Sequence, residues 1–257
     1  MLFYALSRAS FNRNLQYRAS HLLHNVASAL FGFIYLSIWT GIGETKDLGI
    51  YGLSGLVSYV ALNQCLLWVT SFTSNGLGIP QLVRTGAIAT ELARPVHLFY
   101  QLMCREWGQI AYQAMYKSLP IYIVYLFAVP LRLPALPAAA ASAAAVVCAA
   151  YLSICVHYLI GAAALWTTES SWFQWLNYAF STLLSGFLIP IEWLPGWLGW
   201  ISRWSFYPSL SYIPSRIYLG YDGIAAIYPS LIWSVVLTFA CLAVTGFMRR
   251  RVEVQGG

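Results

Sequence analysis

Residues 133–168 read LPALPAAAASAAAVVCAAYLSICVHYLIGAAALWTT, without one Asp, Glu, Lys or Arg. A helix that crosses a bilayer needs about 20 predominantly apolar residues, and this run supplies them with room for a turn at either end. The same reading extends outward. Residues 19–43, 48–83, 170–191 and 223–248 are also free of charge, and 107–131 is interrupted by Lys117 alone. The run 48–83 turns polar after Thr70, so it accommodates one helix and then a loop. Six spans follow, near 21–43, 52–72, 107–131, 138–163, 172–190 and 225–248. Continuous apolarity over such lengths specifies helices, since the strands of a membrane barrel alternate over about ten residues. The expected fold is an all-α membrane protein, one transmembrane domain over 1–257.

Composition excludes the other classes. Hydrophobic residues make up 60% of the 257 and charged residues 9%, against roughly 25% charged in soluble domains. A soluble enzyme cannot cover its surface with so few charges, and disorder requires the opposite balance. The net charge of +6 comes from 14 basic residues spread along the chain, which is not a nucleic-acid surface. The five cysteines, Cys65, Cys104, Cys148, Cys155 and Cys241, sit in apolar stretches without paired spacing, which argues against a disulfide framework.

Basic residues orient the spans. Arg8, Arg13, Arg18, Arg84, Arg94, Arg105, Arg249, Arg250 and Arg251 fall on the side of the termini and alternate loops, and Lys46, Arg132, Arg203 and Arg216 on the other. The positive-inside rule then puts both termini in the cytoplasm. Residues 1–18 interleave Arg8, Arg13 and Arg18 with Leu2, Phe3, Leu6 and Phe11. They read as an interfacial amphipathic helix, or else as a basic frayed terminus. No cleavable signal peptide is apparent.

Two connections stand out. The cytoplasmic loop 73–105 contains Arg84-Thr85-Gly86-Ala87-Ile88-Ala89-Thr90-Glu91-Leu92-Ala93-Arg94-Pro95. Helix-compatible residues lie between two arginines, and Pro95 opposes continuation. This is a docking helix parallel to the membrane or a solvated topogenic loop. The outer segment 191–223 is rich in Trp and Tyr and broken by Pro, which suits short re-entrant helices or plain interfacial anchoring. The outer loops at Gly43–Asp47 and Pro130–Pro134 are short.

Chemistry is sparse. A P-loop requires Gly-x4-Gly-Lys-Ser/Thr, and neither Lys46 nor Lys117 follows such a loop. Ser74-Asn75-Gly76-Leu77-Gly78 reads as a flexible turn. Gly52-Leu53-Ser54-Gly55 has the form of a protease nucleophile motif, but His21, His24, His97 and His157 fall toward the opposite side, so a helix–helix contact is the better account of Ser54. Cys148, Cys155 and His157 on one Ala-rich helix are apolar filler rather than a metal site. Lys117 is the one ionisable residue at depth, about 18 Å from Arg105 along a helix. It faces the bundle interior or a wet cavity, as intramembrane charges do, or it snorkels near the Pro120 kink. An intramembrane enzyme and a stand-alone channel or scaffold are the competing classes.

Three local patterns carry a resemblance. Gln16-Tyr17-Arg18-Ala19 precedes the first span. Arg84-Thr85-Gly86 is followed by Leu92-Ala93-Arg94-Pro95. Ser185-Gly186-Phe187-Leu188-Ile189-Pro190-Ile191-Glu192-Trp193-Leu194-Pro195-Gly196-Trp197-Leu198 precedes the last span. With Pro214–Gly220 and the terminal Gln255-Gly256-Gly257, their order and spacing resemble the ABC-2 type permeases over essentially the whole chain. These are membrane subunits of ATP-driven transporters, mostly exporters, and the resemblance is closest to a branch often encoded as two different permeases beside one ATPase. It implies that 81–95 is a coupling helix seated on an ATPase subunit, with Arg84, Gly86, Glu91, Arg94 and Pro95 as its contact residues. It implies an outer gate at Ser185, Pro190, Glu192, Pro195 and Trp197. ATP and Mg would be bound by the ATPase dimer, with no cofactor in this chain. The further partners would be a second permease, related or identical, and the lipids of a bacterial inner membrane. One departure is visible: Ala87 stands where an acidic residue is expected after Arg-x-Gly, and Glu91 follows later.

Overall fold

The computed structural model describes residues 1–16, 18–44, 47–167 and 170–255. Tyr17 of the N-terminal pattern, Lys46 of the first outer loop and the terminal Gly256-Gly257 lie outside the described residues, as do the side chains of 18–22 and 252–257. All regular structure among the described residues is helical.

Helix α1 (Leu2–Leu15) leads into α2 (Arg18–Gly43), and α3 (Gly52–Thr70) returns beside it. Two short helices follow, α4 (Ile79–Arg84) and α5 (Ile88–Ala93). Then α6 (Leu98–Gln113) runs through a π-helical turn at Ala114–Ser118 into α7 (Leu119–Ala128). The Ala-rich α8 (Leu136–Ala162), the single turn α9 (Ala164–Thr167) and α10 (Ser171–Leu184) come next. The chain closes with α11 (Gly196–Trp204), α12 (Tyr212–Tyr218) and α13 (Tyr228–Gln255).

Among the described residues, four helical stretches are long and apolar enough to cross a membrane: Leu23–Gly43, Gly49–Arg84, Leu136–Thr167 and Ile224–Arg251. The expected third span is a continuous helical path from Leu98 to Ala128, divided by the π turn that carries Lys117. The expected fifth span, 172–190, is shorter than the sequence suggests. Helix α10 has 14 residues, roughly 21 Å at 1.5 Å per residue, and ends where Gly186 adopts φ 75°. A residue in that conformation stops a helix, and glycine takes it without steric penalty. The apolar Phe187-Leu188-Ile189 continues past that stop as non-helical chain.

Packing follows residue size. Along α8, Ala145, Ala149 and Ala150 are buried and let neighbouring backbones approach closely. Hydroxyls then bridge α8 to α13, Tyr151 to Thr238 at 2.6 Å and Tyr158 to Thr245 at 2.5 Å. The Cys241 thiol donates to the Cys155 carbonyl at 3.5 Å. Against the other side of α8 sits the turn Ser74–Gly78, which the sequence suggested was flexible. Its central Gly76 and Leu77 are buried and both at positive φ, and a Cβ added to Gly161 would fall 2.1 Å from the Gly76 carbonyl oxygen.

Helix α1 is docked onto α6. The Ser7 hydroxyl donates to the Cys104 carbonyl at 2.7 Å, Phe11 packs edge-on against Tyr112, and a Cβ on Gly108 would meet the Ser7 carbonyl oxygen at 2.0 Å. Leu2, Phe3 and Tyr4 remain exposed. Charges segregate by end. Arg105 and Arg94 meet around Glu91, and Arg249 lies close enough to His97 to influence it, so these residues share a basic end. Arg132, Glu192, Arg216 and Asp222 gather at the opposite, aromatic end.

Candidate functional site

Between the two ends, α2, α3, the π turn, α8 and α10 line an open cavity of about 860 Å³. That lies within the range of small-molecule sites. Lys117 is placed in it by an irregularity of its own helix. Pro120 has no N–H to give the Tyr116 carbonyl, and the Asn25 amide of α2 donates to that carbonyl instead, at 2.8 Å. The π turn immediately before shifts the register, as such turns often do at functional sites. Lys117 is buried, and its Nζ stands 3.7 Å from the centroid of the Trp68 ring. Its side chain faces the interior and does not extend to an end of the helix. Desolvated contacts of this kind stabilise a cation by about 2 kcal/mol. The ring is held in place because Trp68 Nε1 donates to the Ser28 hydroxyl at 3.1 Å.

The rest of the lining is mixed. Phe31, Tyr35, Phe72, Trp175 and Phe187 supply apolar wall, and His24, Gln64, Gln113, Ser153 and His157 supply polar groups. No carboxylate is among the described lining residues, and Lys117 is the charged one. Gln113 Nε2 donates to the Phe72 carbonyl at 2.8 Å, which fixes the amide and leaves its buried Oε1 without a partner among the described residues.

At the basic end, the single helix expected over 81–95 is two. Thr85 and Gly86 N–H groups cap α4 by donating to the Gln81 and Val83 carbonyls, each at 3.1 Å. Gly86, at φ 71°, turns the chain into α5, and Pro95 follows its end. Ile88 and Leu92 are buried in the core, while Arg84, Gly86, Arg94 and Pro95 are exposed. Glu91 is mostly covered. Its carboxylate meets Arg94 at 3.1 Å and Arg105 at 3.9 Å, so it braces the loop internally. Nearby, burial and then the Arg249 guanidinium push the His97 imidazole below its ordinary pKa of 6.5.

At the aromatic end, the five residues expected to form a gate play unequal parts. The Ser185, Pro190 and Pro195 carbonyls accept the Tyr212, Trp193 and Gly199 N–H groups at 3.0, 3.0 and 2.9 Å, which shapes the segment. Trp197 is exposed. Glu192 makes the charged contact, pairing with Arg216 and accepting the Tyr212 hydroxyl at 2.6 Å. Arg216 also grips Asp222 with Nε and Nη2, at 2.5 and 3.0 Å, and donates to the Tyr51 hydroxyl at 3.0 Å. Sequence reasoning missed this centre, although Arg216 and Asp222 flank a Gly220 turn at a spacing that allows the pairing. Ser54 accepts from Arg132 Nε at 3.0 Å, an inter-element tie and not a nucleophile–base pair.

The long apolar helices around a polar interior define a multi-pass membrane protein. The profile described as ABC-2 family transporter protein matches residues 25–252, so the chain belongs to that family and is a membrane permease of an ABC transporter. A comparison with curated proteins finds no match.

Proposed function

We propose that this chain is the transmembrane subunit of an ABC exporter in a bacterial inner membrane, with six passes and both termini cytoplasmic. It forms half of a translocation path with a second permease and is driven by a separate ATPase dimer that binds ATP and Mg. The observation that carries the reading is the loop at the basic end. Ile88 and Leu92 anchor it in the core, Glu91 braces it from within, and Arg84 and Arg94 are presented outward. A rigidly anchored surface transmits movement, and a ligand-driven shift is limited by its differential affinity for the two states. ATP closing the ATPase dimer would press this loop and tilt α3 and α6, whose ends it joins. The Arg216 centre would then open on the outer side. Catalysis stays in the partner.

The test is the double variant Arg84→Ala with Arg94→Ala. Insertion into the membrane should survive while association with the ATPase subunit falls. Undiminished association would remove the coupling assignment and favour a stand-alone channel or scaffold.

A further inference from the structure

The permease reading leaves the cargo open, and resting on that reading we infer that the Lys117 cavity holds an amphiphile with an anionic, hydroxyl-bearing headgroup. Three observations converge. The cavity's buried cation has no carboxylate within ion-pair distance among the described residues, and its ammonium lies over the Trp68 face. Such a charge recruits an anion when one can enter. Beside it, Gln113 Oε1 is buried, fixed as an acceptor by its amide's bond to Phe72, and unpartnered among the described residues. It calls for a donor, which a bare carboxylate or phosphodiester lacks and a hydroxyl supplies. Phe31, Trp175 and Phe187 add aromatic lining that suits an apolar tail. Phe31 of α2 and Trp175 of α10 line the cavity and are also exposed on the outside of the bundle, so a tail passing beside them can remain in the lipid while the headgroup enters.

The headgroup chemistry is shared by a bilayer lipid and by a free single-chain amphiphile. The test uses the intact chain in nanodiscs of unbrominated phosphatidylcholine and reads the saturable part of the tryptophan quenching, with Trp175 as the lining tryptophan on the tail side. The quenchers are phosphatidylglycerol, lysophosphatidylglycerol and phosphatidylcholine, all with dibrominated chains. Saturable quenching by either glycerol lipid, with phosphatidylcholine at least about tenfold weaker, is the expected result. The stronger of the two glycerol lipids names the source. K117Q should weaken the glycerol lipids about tenfold and leave phosphatidylcholine unchanged, while K117R keeps the preference. Equal quenching by all three lipids in the wild-type protein would overturn the inference without any variant, and so would an undiminished preference in K117Q. Neither result depends on an ATPase, so failure here is separable from failure of the coupling assignment.

Discussion

Arg216 grips Asp222 through two parallel contacts, Nε to Oδ2 at 2.5 Å and Nη2 to Oδ1 at 3.0 Å. This planar fork fits a carboxylate as a lysine ammonium cannot. The remaining guanidinium nitrogen turns to Glu192 and Tyr51, so one residue ties α12, the 190–195 turn and the start of α3 together. The Arg216 side chain is only 12% exposed, and removing one partner of such a buried charged pair is costly. Arg216→Ala should destabilise the protein by about 2–3 kcal/mol, and Arg216→Lys by less. The check is the apparent unfolding temperature in detergent. Equal temperatures for wild type and Arg216→Ala would show that the centre carries no structural weight.

Gly161 and Gly41 make opposite predictions from one substitution. A Cβ on Gly161 would sit 2.1 Å from the Gly76 carbonyl oxygen, whereas one on Gly41 meets nothing within 4 Å. Gly161→Ala should therefore cost about 1–3 kcal/mol by forcing the 74–78 turn off α8. Gly41→Ala, inside α2, should be neutral or stabilise by up to about 1 kcal/mol. Limited proteolysis of the 73–105 loop should accelerate in the first variant and not in the second.

Asn25 and Pro120 form a complementary pair. Asn25→Ala leaves the Tyr116 carbonyl without the donor that Pro120 cannot supply, at a cost of about 1 kcal/mol. Adding Pro120→Ala restores a backbone N–H, so the double variant should recover part of that loss. Additive effects on the apparent unfolding temperature would mean that the two residues do not serve one carbonyl.

His97 sets a pH dependence. Burial, and then Arg249, hold its pKa below 6.5, so the unfolded chain takes up a proton more readily than the folded one. Its stabilising contribution is complete above the ordinary imidazole pKa and is lost as pH falls below it. His97→Gln should flatten the loss of thermal stability on acidification through that range. An unchanged acid limb would assign the loss to other groups.

Much of this was legible in the sequence. Charge-free runs located the long helices, because a bilayer demands their length, and Lys117 announced itself as the one charge among them. The points that escaped depend on single backbone positions or on long-range meetings. Gly186 ends α10 although Phe187-Leu188-Ile189 keeps the run apolar, and Gly86 divides the loop helix although the flanking residues favour one. Glu192 was marked, but Arg216, which also holds Asp222, reaches it only through the folded aromatic end. Trp68 drew no reading, because nothing in its neighbours signals that its ring lies under the Lys117 ammonium.

The most direct measurement is affinity purification of the tagged chain from its native membranes in gentle detergent, with the eluate quantified by mass spectrometry. The account predicts a stoichiometric ATPase carrying a P-loop, together with a second permease or a second copy of this chain. An oligomer of this chain that is stable in the same detergent and free of any ATPase would contradict it.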